Sequence, residues 1–351
     1  MLASMLRGTF MDSLQPLQEW VGQQLEYPVT GLSPLSGDAG FRRYCRVEGS
    51  QPPVMAVYAP IATENTPLYL AVSKLLSGGG VRVPEVLATD LARGFLLVED
   101  CGDQLLLPAL NDSSADQLYG QALDMLLKMQ SIPVPEGAIA HYDAQRLWDE
   151  MALFPSWFVQ DLLGLPFGRN EQALLDNFFD WLVESALEQP QVFVHRDYHA
   201  RNLMLNTHSQ PPGELVTIDF QDALVGPITY DLVSLIRDCY IRWPSGKVEQ
   251  WALAYRKKLT NNDMKVGDSD QQFLQWLDLM GLQRHIKVLG IFARLWLRDG
   301  KPGYLKDLPM VLRYTMDVAA KYPAAAEFLT WMTVRVLPAC QRQPWWKEII
   351  P

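Results

Sequence analysis

Between two regions of helical periodicity lies one short island that cannot be helical, and it constrains the fold of this chain more than any other segment. It reads QVFV, then HRDYHARN, LMLN, THSQPPG and ELVTIDF, over residues 191–220. QVFV, LMLN and ELVT are apolar, strand-like runs, and THSQPPG is a turn signal. Pairing 203–205 with 215–218 as a hairpin brings Asn202 and Asp219 to the same end. The polar octet HRDYHARN (195–202) is then a loop held between strands, the placement from which side chains usually do chemistry.

The flanks supply the frame. FRRYCRV (41–47) and PVMAVYA (53–59) are β-rich runs joined through EGSQP, and YLAVSKLLSGGG (69–80) is a helix stopped by glycines. VPEVLATD and FLLVEDCGD (95–103) add two strands. From about residue 104 the pattern turns helical, with apolar spacing of three and four over 115–130, 144–163, 170–188, 229–240, 246–259 and 282–298. At 351 residues the chain suits two lobes. The expected fold is α+β: a small β-rich lobe over 1–103 and a larger, mainly helical lobe over 104–351. Met11 opens a cleaner amphipathic segment, so residues 1–10 are expected to stand apart from the fold.

Composition removes several classes of function. No window reaches the roughly 18 apolar residues of a membrane span. The net charge of −10 comes with no basic block, which argues against a nucleic-acid partner. The four cysteines, Cys45, Cys101, Cys239 and Cys340, are scattered without metal spacing, as in a reduced, cytoplasmic protein.

An amide oxygen at Asn202 and a carboxylate at Asp219 are hard oxygen donors suited to Mg²⁺. Asp197, five residues before Asn202, is placed to accept a proton from a hydroxyl. HxDxxxxN, a short hairpin and a strand-terminal Asp make up the parts of a kinase-type phosphoryl transferase. His195 and His199 read as residues that pack and hold the loop. Asp222 reads as a turn cap or as a second metal contact.

HRDYHARNLML with VTIDFQDALVGPITYDLVSLIRD (216–238) resembles the aminoglycoside phosphotransferase/choline kinase family. The resemblance implies a protein-kinase-like two-lobe fold, ATP or GTP as donor, and Mg²⁺. It implies Asp197 as catalytic base, Asn202 and Asp219 as metal ligands, and Asp231 as a buttress of the loop. More narrowly, SGDAGFRRYCRV, LLVEDCGD, LFPSWFVQDLLG and GLQRHIKVLGIFARLWLRDGKPGYL are similar to the amino-sugar anomeric kinases of bacterial cell-wall recycling. Those enzymes phosphorylate N-acetylmuramate and N-acetylglucosamine.

One departure stands out. Kinase-like folds carry a phosphate-binding lysine on the third strand, and PVMAVYA has none. Strand alternation puts Arg43 with Phe41, Cys45 and Val47 on an apolar face and Arg42 on the other. Arg43, just after the glycine loop of Gly37 and Gly40, is therefore the expected phosphate cation, or else the partner of a carboxylate such as Glu64. Glu99 marks the hinge whose main chain would meet a purine. For the acceptor, the candidates are Glu150 and Trp157 in WDEMALFPSWF, and Arg294 with Arg298, one helical turn apart. The expected reaction is transfer of the ATP γ-phosphate to a sugar hydroxyl. Its rivals are an aminoglycoside or choline-like acceptor, and a catalytically dead nucleotide-binding module.

Overall fold

The computed structural model describes residues 2–25, 27–35, 41–209 and 213–347, with side chains from Ser13's successor Leu14 onward. Gly37 and Gly40 lie outside the described residues. Contacts divide the chain into two compact units, one of residues 1–132 and 200–223, the other of 133–199 and 224–351. The 103/104 division expected from the sequence sorts the chain by element type. The contact division instead places the hairpin after residue 200 with the sheet.

The first unit is built on a five-stranded antiparallel sheet. Its strands are β1 (Leu32–Pro34), β2 (Arg43–Val47), β3 (Val54–Tyr58), β4 (Val86–Asp90) and β5 (Phe95–Glu99), in the order β1-β2-β3-β5-β4. Helix α1 (Leu2–Leu25) takes in the stretch that the sequence set apart. Its Leu17, Trp20 and Val21 pack into one core with Cys45, Val47, Val54, Ala56, Phe95 and Leu97. That packing identifies the apolar face of the sheet as the face covered by α1. Tyr44 pairs with Val57, and Arg46 with Met55, so these four belong to the opposite face. The turn between β4 and β5 needs its glycine: Gly94 has φ +70, and a Cβ there would sit 2.1 Å from the Ala59 carbonyl oxygen.

Helix α2 (Thr66–Gly78) starts at Asn65, whose side chain accepts the Leu68 N–H, with Pro67 in the first turn. Helices α3 (Leu106–Ala109) and α4 (Ala115–Gln130) follow. The unit is completed by a hairpin that the chain adds much later.

In the second unit come α5 (Ala144–Met151), a π-helical stretch Phe154–Leu162, and α6 (Arg169–Leu187). The sequence reads one helix over 144–163; the chain instead widens after Met151. Strand β6 (Gln191–Val194) leads into the polar loop. The hairpin of β7 (Leu203–Asn206) and β8 (Glu214–Thr217) belongs to the first unit, and β9 (Leu224–Pro227) returns to pair with β6. Helices α7 (Tyr230–Ile236), α8 (Ser245–Asn261) and α9 (Asp270–Leu297) come next. The short α10 (Leu308–Ala319), α11 (Ala326–Trp331) and α12 (Leu337–Gln341) close the chain.

Helix α9 is the axis of this unit. It starts at a Ser269 cap and is buried almost all round from Phe273 to Ala293, so its apolar residues form no single stripe. Such a pattern shows in sequence only at its amphipathic end, which is why periodicity locates 282–298 and misses the roughly three turns before it. Gly290 lets the π-helical stretch approach: a Cβ there would lie 2.5 Å from the Leu153 carbonyl carbon.

Candidate active site

The hairpin forms as the sequence implies. Leu203 pairs with Thr217 and Leu205 with Leu215, and the Ile218 N–H donates to the Asn202 carbonyl at 3.0 Å. Asn202 and Asp219 therefore meet at one end, with Asn202 Nδ2 3.5 Å from Asp219 Oδ2. Asp219 is exposed, and its φ of 64° is the left-handed conformation that non-glycine residues rarely adopt. Its other oxygen accepts from Gln221 Nε2 at 2.7 Å. Among the described residues no cation forms an ion pair with this carboxylate. One exposed carboxylate beside an amide oxygen, both turned outward from a hairpin end, fits Mg²⁺, a cation that keeps waters and takes few protein ligands.

Asp197 belongs to the second unit, and there the loop is held from every side. Arg196 has φ 77°, left-handed and costly for a residue with a side chain. Its N–H donates to Asp231 Oδ1 at 3.0 Å, its carbonyl accepts from Arg284 Nη1 at 2.8 Å, and its guanidinium pairs with Glu150. The His195 N–H donates to Asp231 Oδ2 at 2.6 Å, so one fully buried carboxylate secures two consecutive peptides. Burial pushes the Asp231 carboxyl up to about 7, against the two N–H donors that favour its ionised form. His195 is fully buried, its Nδ1 accepts the Asp197 N–H, and its ring meets Tyr198 edge-on. The His199 ring stands edge-on to Tyr240.

A charge network lies beneath this loop. Lys287 Nζ is 3.0 Å from Glu150 Oε2 and donates to the Tyr230 hydroxyl at 3.0 Å, and Arg284 Nη1 donates to the same hydroxyl at 3.2 Å. The Tyr142 hydroxyl donates to Glu150. Arg284 and Lys287, three apart on α9, share a face, and Arg284 Nη2 lies 3.8 Å from Asp197 Oδ1. Desolvation alone would push the Asp197 carboxyl up. Arg284, then Lys287, His199 and Arg196, outweigh it and hold the group at about 2. The Asp197 side chain keeps 44% of its surface, so solvent tempers both effects.

Other residues singled out in the sequence lie differently. Arg43 shares the sheet face of Cys45 and Val47, which α1 covers, and its guanidinium turns back to the Arg42 carbonyl at 2.8 Å. Alternation is obeyed, but the apolar face is not the one turned toward Asp219's neighbours. The Arg42 side chain, on the other face, reaches Gln221 Oε1 at 2.8 Å. Both Glu150 oxygens are engaged by Arg196, Lys287 and Tyr142, which places this carboxylate inside the network. Glu99 is likewise engaged, by Arg82, the Glu85 N–H and Asn206 Nδ2. Trp157 is half-buried in the π-helical stretch. Arg294 is partly exposed and Arg298 pairs with adjacent Asp299; they lie ten and fourteen residues from Arg284, roughly 15 and 21 Å by helical rise. Asp222 is exposed.

Arg284, Lys287, Tyr142 and Tyr230 are not singled out by the sequence. For the two cations a signal is present in RHIK (284–287), which sets them three apart within a mainly apolar helix; for the two tyrosines there is none.

The model of the phosphotransferase enzyme family matches residues 31–268. The chain belongs to that family. Among its curated relatives, the N-acetylmuramate/N-acetylglucosamine kinase of Pseudomonas aeruginosa is 45% identical over 303 residues, covering 86% of this chain and 88% of the relative. The enzymes of the same name from Pseudomonas putida and Neisseria meningitidis are 41% and 37% identical, over 90% and 88% of this chain and 94% and 92% of theirs. Solved structures share the fold. A choline kinase from Streptococcus pneumoniae aligns with TM-score 0.59 at 13% identity, over 88% of this chain and 99% of that one. The ADP-bound aminoglycoside phosphotransferase APH(2'')-Ib aligns with TM-score 0.57 at 13% identity, over 86% and 98%. The protein-kinase-like fold expected from the sequence is the fold observed. This phosphotransferase is an enzyme of the small-molecule kinase type, and no described helix is long and apolar enough to cross a membrane.

Proposed function

We propose that this chain transfers the γ-phosphate of ATP to the anomeric hydroxyl of N-acetylmuramate and N-acetylglucosamine. Residues 1–103 serve as the nucleotide-binding lobe and 104–351 as the catalytic and acceptor-binding lobe. The observation that carries the chemistry is the pair of oxygen donors at the hairpin end, Asn202 and Asp219. Mg²⁺ held there would neutralise phosphate charge. Asp197, kept ionised by Arg284 and Lys287, would accept a hydrogen bond from the sugar hydroxyl and orient it for in-line attack. A carboxylate held near 2 is a weak base, so its contribution is mainly orientation, with the proton taken up as the new bond forms. The backbone of Arg196, clamped by Asp231 and Arg284, fixes that carboxylate before any substrate arrives.

The acceptor class draws on the relatives. Those at 37–45% identity carry the amino-sugar kinase name. Within the second unit, Arg196, Arg284 and Lys287 are matched by Glu150, Asp197 and the buried Asp231, so the acceptor class rests on the relatives and not on a local excess of charge.

The test is ATP turnover against N-acetylglucosamine, N-acetylmuramate, kanamycin and choline, with the product's phosphorus spectrum recorded. A phosphate on the anomeric oxygen couples to one carbon-bound proton and gives a doublet; one on a primary hydroxyl couples to two and gives a triplet. Turnover of kanamycin or choline above both sugars would sink the acceptor assignment. A triplet would move the reaction to another hydroxyl.

A further inference from the structure

We infer that Arg42 supplies the phosphate-binding cation that the third strand lacks, with Glu64 as its holder and Gln221 standing where the metal–phosphate unit of the donor will sit. The inference rests on the kinase reading above and names the missing nucleotide contact within it.

The lysine expected of such a fold has no counterpart here, because the β3 residues on the face opposite α1 are Met55 and Val57. Arg42, at the entrance to β2, lies on that face. Its Nε is 3.1 Å from Glu64 Oε2, and its side chain retains 10% of its surface. Its guanidinium carbon lies 4.6 Å from the centre of the Tyr69 ring. Tyr69 in turn stacks on Phe220, next in sequence to Asp219, with centroids 4.9 Å apart and planes 18° from parallel. The cation is thus fixed by an ion pair and by an aromatic face that is itself anchored to the metal-ligand strand. A guanidinium carries five N–H donors. Glu64 and Gln221 engage only part of that set.

The link to Asp219 is short. Arg42 Nη1 donates to Gln221 Oε1 at 2.8 Å, and Gln221 Nε2 donates to Asp219 Oδ1 at 2.7 Å. One amide therefore spans a cation and a metal-ligand carboxylate, with its oxygen toward the arginine and its NH₂ toward the aspartate. A magnesium–phosphate unit has the same polarity: anionic oxygen toward the cation, metal toward the carboxylate. Half-buried Tyr44, on the same sheet face as Arg42, lies in the field of Arg42, Asp219 and Glu64 together. The structural alternative, an arginine that only staples Glu64 to the sheet, gives no reason for the relay through Gln221 to an exposed carboxylate.

The experiment is calorimetric binding of Mg·ATP and of adenosine to wild type and to Arg42→Ala, Arg42→Lys, Gln221→Ala and Arg43→Ala, with melting points recorded. Arg42→Ala is expected to weaken ATP roughly ten- to hundredfold, the scale of a charge-assisted contact, and to leave adenosine unchanged. Arg42→Lys should restore part of the loss. Arg43→Ala should stay within about threefold of wild type, well inside one charge-assisted contact, and Gln221→Ala, which loosens both Arg42 and Asp219, should weaken ATP by less than Arg42→Ala does. Equal ATP affinity in wild type and Arg42→Ala, or a parallel loss of ATP and adenosine, overturns the inference while leaving the kinase reading in place. A loss confined to Arg43→Ala or Gln221→Ala overturns it as well. A wild-type protein that binds no ATP overturns the kinase reading, and this inference with it.

Discussion

The two ends of the polar loop are built on opposite plans. On the Asp197 side, Arg196 is secured through its N–H, its carbonyl and its guanidinium, and cations lie around the Asp197 carboxylate. On the Asn202 side, Asp219 is exposed and, among the described residues, meets the amides of Asn202 and Gln221. The chain passes from one unit to the other between residues 199 and 200, between these two plans. The proposed function accounts for the contrast. A base is oriented before the acceptor arrives, so its supports are completed on folding, whereas a site for a metal and polyphosphate keeps charge unsatisfied until they bind.

If that contrast is right, substitutions on the two sides fail differently. The largest effect is expected from Glu150→Ala, which leaves Arg196 and Lys287 without their shared anion. Breaking a buried ion pair costs about 3–5 kcal/mol, so chemical denaturation should show a lower midpoint, with activity lost alongside. A midpoint like that of wild type would dissolve the network argument. Asp197→Asn is the next largest: turnover should fall at least about 100-fold while ATP affinity and fold are retained. A properly folded mutant with near-normal turnover would remove the residue from its role.

Asp219→Ala should do the reverse of Glu150→Ala. The Mg²⁺ dependence of ATP binding should shift upward by about tenfold, the scale of one charge-assisted contact, with little change in melting point because the side chain is exposed. An unaltered Mg²⁺ titration would contradict the ligand assignment.

The pH response is smaller. The native Asp197 carboxyl lies at about 2, below the roughly 3.9 of an unfolded aspartate. Its contribution to stability is therefore present above about pH 4 and is lost as pH falls through 2. Wild type and Asp197→Asn should then differ by a constant amount from pH 5 to 8 and converge in acid. Divergence on acidification would reverse the sign of the shift. Arg298→Ala should be the mildest change, within about 0.5 kcal/mol in stability and silent in turnover, since Arg298 pairs with Asp299 on the exposed end of α9.

Much of this was legible in sequence, for local reasons. The hairpin that joins Asn202 and Asp219 is set by two apolar runs around a proline-glycine turn, so their pairing is a short-range matter. The hold of Asp231 on the loop followed from family resemblance. What escaped depends on contacts distant in sequence. Which face of β2 is covered is decided by α1, some twenty residues earlier, and periodicity within β2 says nothing of it. Sequence alternation therefore separates Arg42 from Arg43 without saying which of the two faces α1 covers. Likewise, Glu150 looked like a sugar contact because its three partners come from a loop, a second helix and the strand-linked Tyr142. No spacing within 148–158 announces them.

The left-handed Arg196 also has a meaning for how this chain can vary. Glycine would relax the backbone there but would release the guanidinium from Glu150, leaving that carboxylate to Lys287 and Tyr142. Any other side chain would keep the strain, of roughly 1–2 kcal/mol, and lose the tether too. Position 196 is therefore not an independent site: a double-mutant cycle with position 150 should be strongly non-additive. A mutational path that replaces this arginine has to pass through residue 150 first.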